Sequence, residues 1–325
     1  MINYIIRRLL YVIPVLIGVN ILTFILFFVV NSPDDMARMQ LGDKHVTQAS
    51  IDNWKQQRGY DLPLLWNEES AGLSKASNTI FFTKSVGLFV FDLGISDNGR
   101  DIASDIGQRM WPSLAIAIPS LIIGVLVNIT FSLLLIFYRG SFLEFAGVFF
   151  CIALMSISGL FYIIVGQLFV GKMLSLTPIS GYVPGLDAIK FIILPVLIGV
   201  VSGLGSGVRW YRSLFLEESA KDYVRTAKAK GLSDLQVLFK HVLKNAMIPI
   251  LTGIVVILPL LFMGSLITES FFGIPGLGSY TIDAITSQDF AIVRSMVFLG
   301  SFLYIIGLLL TDISYTLVDP RVRLD

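Results

Sequence analysis

The sequence predicts an all-α integral membrane protein, and three observations carry that prediction. Of 325 residues, 55% are hydrophobic and only 14% charged, with a mean hydropathy of +0.79. Water-soluble domains do not carry that balance, so the bilayer is the relevant solvent. Six long windows, at residues 9–30, 113–137, 145–171, 191–208, 246–268 and 295–311, contain no Asp, Glu, Lys or Arg. Crossing ~30 Å of hydrocarbon takes roughly 20 apolar residues, and in lipid the backbone must satisfy its own hydrogen bonds, so each window reads as a helix. The net charge of +1 by itself argues neither for nor against nucleic acid, and the single cysteine, Cys151, has no intrachain disulfide partner and sits in an apolar run.

The first window follows Arg7 and Arg8, as in a signal peptide. Its length and the lack of a small-x-small cleavage site point to a retained span. With the N-terminus inside, Arg7, Arg8, Arg139, Arg209, Arg212, Lys221, Arg225, Lys228, Lys230, Lys240, Lys244, Arg321 and Arg323 lie on the inner side, thirteen in all. Three, Lys172, Lys190 and Arg294, lie in short outer loops. The positive-inside rule therefore predicts cytoplasmic termini.

Residues 31–112 then form an extracytoplasmic insertion, with 1–30 before it and a five-helix core, 113–325, after it. The insertion carries Trp54, Trp66 and an apolar patch with Phe81, Phe82, Phe89 and Phe91. Such a patch packs on the chain's own helices or on an external partner. In the second and third spans Asn128 and Gln167 are the deepest amides. They line a pathway or bond neighbouring helices. No span has an ionisable group near its midpoint, which argues against an ion-coupled carrier. Gly199, Gly203 and Gly207 recur every four residues in the fourth span, a smooth stripe for close helix packing. Prolines 119, 195 and 259 predict kinks.

Between the fourth and fifth spans, residues 209–245 form the loop richest in Lys and Arg. From 216 to 230 the pattern is helical: Leu216, Ala220, Tyr223, Val224 and Ala227 share one face, and Lys221, Arg225 and Lys228 form a basic stripe. Gly231 suits a left-handed helix stop, and Ser233 with Gln236 makes a capping box for a second helix running to Pro249. Read from composition alone, an amphipathic helix of this kind lies on anionic lipid as readily as it docks on a protein.

Asp222-Tyr-Val-Arg-Thr-Ala-Lys-Ala-Lys-Gly231, followed by Asn245-Ala-Met-Ile-Pro249, resembles the ATPase-coupling segment of ABC importer permeases of the peptide and nickel branch. Arg7-Arg-Leu-Leu-Tyr-Val-Ile-Pro-Val-Leu-Ile-Gly-Val19, Gly59-Tyr-Asp-Leu-Pro63, Asp92-Leu-Gly-Ile-Ser96, Glu269-Ser-Phe-Phe-Gly-Ile-Pro-Gly-Leu-Gly278 and Asp319-Pro-Arg-Val-Arg323 are similar, in order, to landmarks of the family's B-type permease. Phe91 stands where the family often has glycine, and 67–90 departs from its pattern.

The resemblance implies a type I ABC importer permease architecture in a bacterial cytoplasmic (inner) membrane. It implies a heterodimer with a second related permease subunit, two cytoplasmic ABC ATPase subunits and an extracytoplasmic substrate-binding protein. The chain binds no cofactor of its own; ATP and Mg serve the partner ATPases. Asp222, Tyr223, Val224, Arg225, Thr226, Ala227, Lys228, Ala229, Lys230 and Gly231 are implied to transmit force. Oligopeptides or dipeptides are the expected cargo. Nickel or another small solute is the alternative within the family, and a secondary transporter or a non-transporting scaffold the alternatives outside it.

Other motifs carry no chemistry. Gly166-Gln-Leu-Phe-Val-Gly-Lys172 mimics a phosphate loop, but Met173 replaces the Ser or Thr and no strand precedes it. Gly273, Gly276 and Gly278 with Pro275 read as a tight turn. His45 and His241 stand apart from any ligand cluster, and no nucleophile, base and orienter group is visible.

Overall fold

The computed structural model describes residues 2–42, 46–72 and 74–318, all helix, turn or loop with no strand among them. His45 and the Asp319–Arg323 motif lie outside the described residues. In chain order the helices are α1 Ile2–Phe24, α2 Pro33–Leu41, α3 Gln48–Arg58, α4 Ser74–Ser77, α5 Ile102–Phe137, α6 Phe142–Met155, α7 Gly159–Gly166, α8 Ala188–Ser219, α9 Asp222–Ala229, α10 Asp234–Val237, α11 Lys244–Ile257, α12 Leu266–Phe272, α13 Leu277–Ser287 and α14 Phe290–Val318. Five helices are long and apolar enough to span, and a bent pair makes a sixth.

That pair is the third span, and here the structure corrects the expectation of one straight helix over 145–171. The chain bends by 90° between α6 and α7. Ser156 Oγ donates back to the Ile152 carbonyl at 2.9 Å, and Ser158 stands extended ahead of α7 without a side-chain cap. Serine hydroxyls of this kind compete with the helical ladder. Tyr162 OH bridges the break, donating to the Leu154 carbonyl at 2.8 Å. The fifth span is likewise shifted. It runs from 234 to 263 through a π-helical stretch, and Gly264 at φ 69° stops it before α12. Helix α5 starts ten residues ahead of Pro112, which lies inside it.

The residues fall into two compact units, one of 1–109 with 280–309 and the other chiefly of 110–279. In the first, Ser32 and Asp35 form a capping box on α2, Thr47 caps α3, and Gly59 ends α3 in the left-handed region. Phe24 and Phe28 of the first span pack with Met36, Ile51, Trp54, Tyr60 and Ile80. Phe89 and Phe91 meet Phe298 and Phe302 of α14 edge to face. Ile80, Leu88 and Leu93 of the apolar patch are thus buried in the chain itself, whereas Phe82, Val90 and Trp66 are exposed.

In the second unit α6 and α8 pack most closely. A β-carbon on Gly205 would meet the Cys151 carbonyl oxygen at 2.5 Å, and Arg212 of α8 pairs with Glu144 of α6. Cys151 is buried. Glu269, 1% exposed, knits the turn after α12: its carboxylate accepts from the amides of Ser265 at 3.0 Å, Gly278 at 2.7 Å and Ser279 at 3.1 Å. Gly166 to Lys172 is helical, as a rejected phosphate loop should be.

Candidate functional site

The segment after α8 is an elbow. The chain breaks at Ala220 and Lys221, so the helix begins at Asp222; Leu216 belongs to the end of α8 and Ala220 is exposed. This corrects the single helix expected from 216. Lysine at the N-cap supplies no side-chain cap, and Glu218 instead holds the break, accepting from Lys221 Nζ and from Tyr223 OH. The Asn245 side chain bonds the same Tyr223 hydroxyl. Gly231 sits at φ 80°, where a β-carbon is strained, and its amide donates to the Lys228 carbonyl at 2.9 Å. Lys228 reaches over the turn to Asp234 at 2.8 Å. The capping box of Ser233 and Gln236 then starts α10.

One face of α9 is buried. Val224 and Ala227 join Leu133 of α5, Tyr211 and Phe215 of α8, and Val237, Leu238, Val242, Ala246 and Ile250 on the run into α11. The opposite face, with Asp222, Arg225, Thr226, Ala229 and Lys230, is exposed. The side chains of Asp222 and Arg225 are 95% and 81% exposed and pair weakly at 3.7 Å. The basic stripe is thus neutralised locally: Lys221 by Glu218, Arg225 by Asp222 and Lys228 by Asp234. Burial of Val224 and Ala227 contributes about 2–3 kcal/mol of anchoring. This core joins α9 to three spans at once.

A cavity of about 460 Å³ opens among α5, α8 and α11. Asn128 and Ser120 line it from α5, and Gly199, Gly203 and Gly207 form its floor on α8. Among the described residues, the near neighbours of a β-carbon built on Gly199 or Gly207 are side-chain atoms of α5. A methyl group on Gly207 would strike the Asn128 amide, one on Gly199 would meet Ser120 Oγ at 3.3 Å, and Gly203 has nothing within 4 Å. Close backbone approach occurs at Gly205, on another face, and no spacing signal in the sequence pointed to it. Asn128 Oδ1 and Ser120 Oγ are buried without hydrogen-bond partners. Gln167 does bond between helices, donating to the carbonyls of Ile179 and Phe271, both at 2.9 Å.

Residues 128–324 match the family described as binding-protein-dependent transport system inner membrane component, and residues 1–69 match the N-terminal family of such membrane components. A peptide transport system permease protein of Brucella abortus (strain 2308) is 31% identical over 334 residues, 99% of each chain. The dipeptide transport system permease protein DppB of Escherichia coli (strain K12) is 29% identical over 351 residues, again 99% of each. A peptide ABC transporter permease protein of Sinorhizobium fredii is 30% identical over 331 residues, 98% of this chain and 99% of its own. With the elbow welded to three spans and a profile match over more than half its length, this chain belongs to the family of inner membrane components of binding-protein-dependent transport systems.

Proposed function

We propose that this chain is the membrane-spanning permease of an ATP-driven importer of short peptides, and that the α9 elbow is where ATPase motion enters it. The observation that carries the proposal is the two-faced α9: one face locked into the core of α5, α8 and α11, the other fully presented to solvent. Peptides are the named cargo of relatives aligned end to end with it. In this reading both termini and the elbow face the cytoplasm, and 31–112 is extracytoplasmic. A second related permease completes the pathway, two ATPases supply ATP and Mg chemistry, and a binding protein delivers substrate outside. Closure of the ATPases pushes residues 217–231, the three spans rock together, and the cavity edged by Asn128 and Gly203 becomes part of the path.

The experiment is peptide uptake and ATP hydrolysis by the complete complex in proteoliposomes. Gly231→Pro forces φ near −65° on a residue at φ 80°. Substrate-stimulated hydrolysis should fall at least about tenfold, while the basal rate of the ATPases alone is unchanged. Unaltered coupling in that variant removes the elbow from its role. Absence of ATP-dependent peptide uptake by the unaltered complex removes the peptide reading.

A further inference from the structure

The first compact unit contains a second cavity, of about 490 Å³, lined by Arg58, Tyr60, Lys84, Asp92, Asp97 and Arg294 among others. Three cations face two lining carboxylates, with Asp289 directly behind Asp97, and Arg58 with Asp97 form a pair at 2.7 Å. Both lining carboxylates already accept hydrogen bonds within the fold. Asp97 accepts from Gln40 as well, and Asp92 accepts from the Gly94 amide at 3.3 Å. Asp289 nearby is taken by the amides of Asp97 at 2.7 Å and Ile292 at 3.2 Å.

Arg294 is 4% exposed, and its Nε has no hydrogen-bond partner. Among the described residues no carboxylate lies within ion-pair distance of it or of Lys84, and its guanidinium rests 5.5 Å from the Phe28 ring centre. A buried guanidinium without a carboxylate or a full set of acceptors is costly. Lys84 lies against the Tyr60 ring at 5.5 Å. Burial, and after it the Arg294 charge, holds the Lys84 ammonium below its ordinary value of 10.5. Tyr60, 6% exposed, stays a neutral phenol because burial raises its pKa. A guanidinium whose Nε has no partner, an ammonium outside ion-pair distance of every described carboxylate and a phenol thus face one cavity.

We infer that this cavity binds a small-molecule carboxylate, which Arg294, Tyr60 and Lys84 receive together. A planar carboxylate matches the guanidinium fork. Identifying that carboxylate with the free C-terminus of a short peptide rests on the proposed function; the site itself does not.

The test is calorimetric titration of the complete complex in phosphatidylcholine nanodiscs with N-acetylalanine and with N-acetylalaninamide. The acid is expected to bind roughly tenfold or more tightly than the amide. Arg294→Gln should abolish the preference, Arg294→Lys should keep part of it, and Lys84→Gln, at the half-buried rim, should weaken it without disturbing the fold. Equal binding of acid and amide overturns the site, as does a preference that survives Arg294→Gln. Acid binding that disappears in phosphatidylglycerol discs assigns the cavity to a lipid phosphate and also overturns it. Peptide uptake is scored separately, so a missing acid preference with intact uptake sinks the site alone.

Discussion

Glu269 shows how one residue holds a local structure in an otherwise apolar chain. Its buried carboxylate gathers three backbone amides, and two glycines make room for it: a β-carbon on Gly264 or Gly276 would strike the carboxylate. Burial raises its pKa above the ordinary 4.5, against the pull of those hydrogen bonds and of Ser113. The sign follows from linkage: for an acid whose folded pKa is raised, stability is fully present below about 4.5 and declines as pH rises through the folded value. Glu269→Ala orphans the donors and should destabilise by on the order of 3 kcal/mol. In detergent melts its gap from the unaltered chain should narrow with rising pH, and a pH-independent gap would contradict that ionisation. The sequence showed Glu269 only as part of a glycine-rich motif, because amide donors leave no side-chain pattern to read. Phe91 was legible as a departure from glycine. It occupies the left-handed region at φ 58°, where glycine is the natural resident, and its ring contacts with Phe298 and Phe302 hold it there.

At the scale of elements, long uncharged apolar runs located every span, while their ends and breaks came from polar bonding that run length does not record. The Ser156–Ser158 break and the Gly264 stop both follow this rule. Gly231 and the Ser233 capping box were readable because caps are local chemistry, with residue types fixed by the backbone they serve. Helix packing was not, since a four-residue spacing names a stripe but not what faces it. Gly205 and Gly203 separate the two cases. Gly205→Ala drives a methyl into the Cys151 carbonyl and Met155 and should destabilise by about 1–3 kcal/mol. Gly203→Ala, pointing into the open cavity, should be neutral or slightly stabilising. Thermal melts of the two variants check this, and equal losses would contradict the assigned α6–α8 contact.

For the molecule as a whole, composition and charge bias gave a multi-pass membrane protein, and ordered motifs over the full chain gave its family. What the chain transports lay outside both, because neither composition nor motif order records the shape of a cavity. Function here depends on which side of the membrane the elbow meets. The most direct measurement places a cysteine at Arg225, whose side chain is 81% exposed, in a Cys151→Ser background, and applies a membrane-impermeant maleimide to vesicles of both orientations. Labelling should occur only in inverted vesicles and should be blocked once the ATPase subunits assemble. Labelling in right-side-out vesicles would put the elbow on the wrong side and end the coupling account.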